Sequence, residues 1–265
     1  MVDSNVQGRT SQISGFYKLT PGERLEFAKS FAGLTDEEAS ALWCTGSLDI
    51  SLADRMIENV VGLMPVPLGV AVNFLINGRD YLVPMAIEEP SVVAAASNAA
   101  KMARVKGGFT TTSTKPVMIG QIQVVGMPDP FGAKMAILKA QDEILQKANE
   151  QDPVLVSLGG GAREIEVKVL DTAIGPMVVA ELLVDVRDVK GANAVNTMAE
   201  AVAPLIESIT GGQALLRIIS NLATRRLARA RAVFAKEALG GPEVVDAVIS
   251  AYAFASADPF RCATH

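Results

Sequence analysis

Two adjacent carboxylates, Glu88 and Glu89, are followed at once by Pro90, Ser91 and a run rich in valine and alanine. Proline suits the first turn of a helix, so the pair sits at a helix N-terminus, where negative charge complements the helix dipole by a few tenths of a kcal/mol to about one. The same place could serve acid–base chemistry. A glutamate shielded from water between a strand pair and a tightly packed alanine helix would have a raised pKa and could donate a proton near neutrality. A second candidate is the stretch Asp188-Val189-Lys190-Gly191-Ala192-Asn193. Gly191 lets the backbone approach a ligand where a helix begins, and the free amides there suit a phosphate or pyrophosphate. Helices that start at glycine are also common without any ligand, so both readings stay open. The glycine run from Leu158 to Ala162 lacks GxGxxG spacing and a following helix, so it reads as a flexible turn between strands and not as a Rossmann loop. Arg225, Arg226, Arg229 and Arg231 crowd what reads as one short helix: a solvated basic face, or a seat for an anionic cofactor tail. The single histidine, His265, is the last residue.

The elements that must position these groups follow from pattern. Thr20-Pro21-Gly22-Glu23 places a cap, an N1 proline and a capping-box glutamate in order, and Thr35 with Glu38 repeats the signature, predicting two short helices. Asn77-Gly78 between two apolar runs predicts a hairpin with a type I′ turn. The helix that follows starts at Pro90 or Ser91 and ends at Gly107-Gly108. From Pro116 the pattern is a strand, one amphipathic helix over "GAKMAILKAQDEILQKANEQD" with Met135, Ile137, Leu138, Ile144 and Leu145 apolar, two strands, a helix and a last strand. That order, βαββαβ, is the split, ferredoxin-like arrangement. The expectation is an α+β chain: a large domain over 1–115 and 221–265, with a small domain inserted at 116–220. The segment after 220 reads as helical, with Gly240-Gly241 dividing two helices.

Composition narrows the function classes. The 265 residues are 49% hydrophobic but only 5% aromatic, which predicts a core rich in small residues. A net charge of -5 gives no electrostatic reason to bind nucleic acid or an anionic membrane. Cys44 and Cys262 lie far apart without CxxC spacing, and with one histidine there is little material for a zinc site, so no metal is expected. The N-terminal stretch has no apolar core of the kind a signal peptide needs, and no run is long and apolar enough to span a bilayer, which predicts a soluble, cytoplasmic protein. Trp43 reads as a core or interface residue.

Taken together, "MIENVVGLMPVPLGVAVNFLINGRDYLVPMAIEEPSVVAAAS", "GGFTTTS", "VDVRDVKGANAVNTMAEAVAP", "ITGGQALLRIISNLA" and "DPFRCATH" resemble hydroxymethylglutaryl-coenzyme A (HMG-CoA) reductases, specifically the class II form, from about Leu19 onward. The resemblance implies a large domain for the acyl-coenzyme A, a small non-Rossmann domain for the nicotinamide cofactor, and an obligate homodimer with its active site between subunits. The implied reaction is two successive hydride transfers to HMG-CoA, through a hemithioacetal and mevaldehyde, giving mevalonate and coenzyme A, or the reverse. By the same resemblance Glu89 is the proton donor to the carbonyl oxygen, Ser91 holds the hydroxymethylglutaryl group, and Arg261 and Thr264 bind substrate. A guanidinium suits bidentate grip of a carboxylate. Asp188, Gly191, Ala192 and Asn193 match the dinucleotide loop, Asn221 a position near the nicotinamide, and Asp152 the acidic contact to the adenosine ribose. A carboxylate there accepts from a 2′-hydroxyl and repels a 2′-phosphate, which favours NAD(H) over NADP(H).

The sequence departs from the family pattern in two places. Lys190 stands where the family loop has methionine; it could reach a pyrophosphate or a 2′-phosphate and so weighs against the NAD preference. The family motif continues past "ATH" into Asn-Lys-Gly, and the lysine that stabilises the oxyanion, a later aspartate and a flap histidine all fall outside these 265 residues. The expectation is therefore a reductase recorded without its C-terminal part. The alternative is a short, catalytically dead form that acts as a cofactor-binding or interaction module. On either reading His265 is a neighbour of that lysine and not the catalytic histidine.

Overall fold

The computed structural model describes residues 10–46 and 48–264. They fall into two compact units, one within Met1–Thr111 and Ala230–His265, the other Thr112–Arg229.

The first unit opens with a 3₁₀ turn, Phe16–Lys18, and three helices, α1 (Pro21–Ala32), α2 (Asp36–Trp43) and α3 (Ile50–Met56). Both predicted capping boxes form: the Thr20 hydroxyl accepts from the Glu23 amide and the Thr35 hydroxyl from the Glu38 amide, each glutamate reaching back to its cap. Strands β1 (Leu68–Ile76) and β2 (Arg79–Ala86) pair antiparallel, with Ile76 opposite Arg79. Asn77 and Gly78 join them, both at positive φ (50° and 78°), as a type I′ turn requires. Helix α4 (Val92–Arg104) lies against β1, where a Cβ on Gly69 would come within 3.2 Å of Val93. Gly107 and Gly108, both left-handed, turn the chain into β3 (Phe109–Ser113), a strand absent from the sequence reading, which pairs parallel with β1.

The second unit contains β4 (Val117–Val125), α5 (Pro130–Lys139), α6 (Gln141–Asn149), α7 (Pro153–Ser157), β5 (Gly161–Thr172), β6 (Gly175–Asp185), α8 (Ala192–Thr210) and β7 (Gln213–Ser220). The predicted single amphipathic helix is two helices, because the chain leaves helical geometry at Ala140. Met135 is exposed, whereas Ile137 and Ile144 are fully buried. The sheet order is β5-β6-β4-β7 with every neighbouring pair antiparallel, which is the ferredoxin-like topology. Central β6 is buried from Val178 to Asp185, on both faces. Helix α8 presents Val195, Met198, Ala199, Val202, Ala203 and Ile206, the i, i+3, i+4, i+7, i+8, i+11 stripe, to a core shared with α5, α6 and the strands.

After Ser220 the helical expectation fails as far as Ala235 and holds beyond it, where Gly240-Gly241 divides two helices. Residues 224–226 form a turn, and Ala228–Ala232 is strand β8, completing the sheet β2-β1-β3-β8. Alanine content favoured a helix, but the alternation Ala228-Arg229-Ala230-Arg231-Ala232 has the period of a strand, and pairing with a neighbouring strand outweighs propensity. The arginine run therefore divides between turn and strand. Helices α9 (Lys236–Leu239), α10 (Pro242–Ala257) and α11 (Pro259–Cys262) follow. Among the described residues, no helix is long and apolar enough to cross a membrane.

Candidate active site

In the second unit β6 hands the chain to α8 through a loop that ends in a tight corner. Gly191 is the N-cap of α8, left-handed at φ 84°, and no side chain caps the helix. A Cβ on Gly191 would lie 2.7 Å from both Met118 Sδ and Val186 Cγ1, so only glycine fits between these walls. Val195 makes the first helical hydrogen bond back to Gly191 O, 3.0 Å, and the amides of residues 192–194 precede it with no intrahelical acceptor. Gly191 itself is buried, Ala192 is half-buried, and the side chains of Asp188, Lys190 and Asn193 stand exposed around the corner. Buried backbone below, open amides and a cation above: this arrangement can hold a phosphate or pyrophosphate. The sequence contained the glycine, but its walls, Met118 and Val186, are distant in sequence from it or indistinguishable from ordinary core residues.

Asp152 caps α7, its Oδ1 accepting from the Leu155 amide at 2.9 Å, and is half-buried. One carboxylate oxygen is thus committed to the fold. The glycine run joins α7 to β5, not strand to strand as expected, although no helix follows it. Asn221 is exposed, immediately after β7.

In the first unit, Glu88 and Glu89 lie between β2 and α4 and both are exposed. This corrects the expectation of a shielded glutamate: the hairpin and α4 pack on each other through β1, leaving the connecting turn at the surface of this chain. Ser91 caps α4 in a left-handed conformation, φ 72° and ψ -18°, without a side-chain capping hydrogen bond. A non-glycine residue in that region costs on the order of 1–3 kcal/mol and is typical of binding turns. The turn is held in place from behind, where Ser97 Oγ accepts from the Val72 amide at 3.1 Å and the buried Asn73 donates to Ser97 O at 3.1 Å. In α11, capped by Asp258, Arg261 donates to Thr264 O at 2.7 Å and Thr264 Oγ1 donates to Phe260 O at 2.8 Å. The fold therefore brings these two predicted substrate contacts together, on an exposed helix end. His265 lies outside the described residues. Trp43 is 60% exposed, so it is not a core residue of this chain.

A model of the hydroxymethylglutaryl-coenzyme A reductase family matches residues 20–265. The chain belongs to that family. It is 62% identical over 256 residues to 3-hydroxy-3-methylglutaryl-coenzyme A reductase of Archaeoglobus fulgidus, covering 97% of this chain and 58% of that protein. A probable reductase of Borreliella burgdorferi is 32% identical over 183 residues, 68% of this chain and 40% of its own length. The chain thus spans about half the length of the curated relatives it matches. A reductase of Streptococcus pneumoniae superposes with a TM-score of 0.89 at 38% identity, over 96% of this chain and 70% of that one. Another structure of the S. pneumoniae enzyme, matched at the same TM-score and identity, is described as class II and bound to NADPH in open conformations.

Proposed function

We propose that this protein reduces HMG-CoA to mevalonate and coenzyme A with a nicotinamide cofactor, or runs the reverse oxidation. The observation that carries the reading is the Gly191 corner, a helix N-terminus closed by packing against any side chain and left uncapped. Its residues fit a dinucleotide: the amides of Ala192 and Asn193 would hold the pyrophosphate, with Lys190 adding charge and Asp188 flanking. The uncommitted oxygen of Asp152 would accept from the ribose 2′-hydroxyl, which favours NAD(H) over NADP(H), against the opposing pull of Lys190. Asn221 would stand at the nicotinamide end. The bound cofactor supplies a hydride to the thioester carbonyl. Ser91, with its hydroxyl not spent on capping, would hold the hydroxymethylglutaryl group, and Arg261 and Thr264 would bind its polar end. Glu89 would deliver the proton to the carbonyl oxygen. Its exposure in the single chain fits a site completed by a second copy, consistent with a homodimer in the cytoplasm.

One assay on the intact protein tests this. Glu89→Gln should lower kcat for HMG-CoA by roughly 10²–10⁴, the usual contribution of a general acid, while NADH binding is unchanged. Dinucleotide binding without HMG-CoA turnover by the native protein would support a binding module instead. A higher kcat/KM with NADPH than with NADH would shift the ribose contact from Asp152 to Lys190.

A further inference from the structure

On the face of the second sheet away from α5, α6 and α8, one row runs across three strands. Glu166 of β5 stands directly opposite Glu181 of β6, and Glu181 directly opposite Gln121 of β4. Like charges directly opposed on neighbouring strands destabilise a sheet, and Glu181 is only 4% exposed. Burial would raise the Glu181 carboxyl, but hydrogen bonds from Lys168 (2.6 Å) and Gln121 (2.9 Å) and the charge of Arg225 hold it below its ordinary value. Among the described residues, the ion pair made by Lys168 is to Glu181. Glu166 pairs instead with Arg225, which comes from the loop after β7.

That pairing is long-range in space. Strands β5 and β7 are opposite edges of the sheet, three strand spacings or roughly 14 Å apart. Five residues past the end of β7, the chain has crossed the sheet to put a guanidinium on the far edge strand. Thr114 fixes the same place: its amide donates to Leu227 O (2.9 Å), and its hydroxyl accepts from the Leu227 amide (2.9 Å) and donates to Arg225 O (3.1 Å). Other hydrogen bonds of the loop among the described residues are local: Leu222 N to Ser220 Oγ, Thr224 N to Leu222 O and Arg226 N to Ala223 O. Asn221 opens this loop.

We propose that Arg225, paired with Glu166 beside the opposed carboxylate Glu181, is a positioning residue that fixes the loop presenting Asn221 to the bound dinucleotide. The inference rests on the cofactor reading above. It explains why the sheet tolerates two adjacent carboxylates, since together they are the counter-charge that draws the loop across.

The test uses the intact protein, with NADH and NADPH binding followed by fluorescence and hydrogen exchange followed over 221–227. Arg225→Ala should weaken dinucleotide binding about tenfold and raise its KM in parallel, while KM for HMG-CoA stays within about twofold. Exchange in the loop should speed up, and the charge-swapped Arg225→Glu/Glu166→Arg protein should regain most of the affinity. Lys29→Ala, which removes another exposed ion pair, to Asp36, should leave dinucleotide affinity unchanged. Unchanged affinity in Arg225→Ala, a joint rise of both KM values, or no recovery in the swap would overturn the inference. A native protein that binds neither dinucleotide would overturn the cofactor reading itself.

Discussion

The two units bury their apolar residues very differently. Thr112–Arg229 closes around a continuous core that includes Ile122, Ile137, Ile144, Leu182, Met198 and Ile206, all fully buried. The other unit buries mainly small residues, among them Ala71, Ala100 and Ala103, together with Phe16 and Phe31, and many of its large ones are exposed: Met56, Ile57, Val61 and Met64 before β1, and Val248, Ile249, Tyr252 and Phe254 on α10. Helix α10 runs sixteen residues without burying one. The ferredoxin-like unit has a continuous buried core. The other unit presents apolar surface of the kind normally covered by a further protein surface. The difference also separates the proposed chemistry: the proposed cofactor groups sit on a unit with a continuous core, whereas the proposed substrate groups Glu89, Ser91, Arg261 and Thr264 lie on exposed turns and helix ends.

The largest effect that could break this contrast is a core truncation. Ile206→Ala should cost about 2–5 kcal/mol in denaturant unfolding, while Val248→Ala should stay within about 0.5 kcal/mol at dilutions that keep the protein monomeric. A loss at Val248 approaching that at Ile206 would show the α10 surface to be covered as fully as the other core. Next in size, Gly191→Ala forces a Cβ against Met118 and Val186 at positive φ, for an expected loss of roughly 1–3 kcal/mol together with much weaker NADH binding. Normal stability with lost binding would separate the corner's ligand role from its packing role.

The smallest effect sharpens the picture of the first unit, whose best-knit point is polar. Asp80 accepts from Ser11 Oγ (2.7 Å), the Ser11 amide (2.9 Å) and Arg104 (2.6 Å), tying the segment before α1 to the hairpin and α4. Burial would raise this carboxyl, but these donors outweigh it and set its pKa at about 2, against 3.8 unperturbed. A lowered folded pKa adds stability above the unfolded value that disappears as pH falls through the folded one. Unfolding free energy should therefore drop between pH 4 and 2 by on the order of 1–2 kcal/mol, and Asp80→Asn should remove that dependence. A pH profile identical in both proteins would show the cluster to be unimportant.

Sequence alone determined whatever depends on neighbours in the chain. Both capping boxes, the Asn77-Gly78 turn, the glycine stop after α4 and the βαββαβ order are local, because caps, turns and periodicity act within a few residues. The long motifs were legible for the same reason, and they placed the chain in its family. Tertiary structure decided the rest. It converted an alanine–arginine stretch from helix to strand, because a pairing partner distant in sequence outweighs propensity. It exposed Glu89, because burial is set by what packs over a turn and not by the turn. It walled Gly191 with Met118, committed one oxygen of Asp152 to a helix cap, and brought Arg225 across the sheet to Glu166. Each of these depends on residues dozens of positions apart meeting in space, or on a side chain's local geometry, and no spacing in the sequence encodes either.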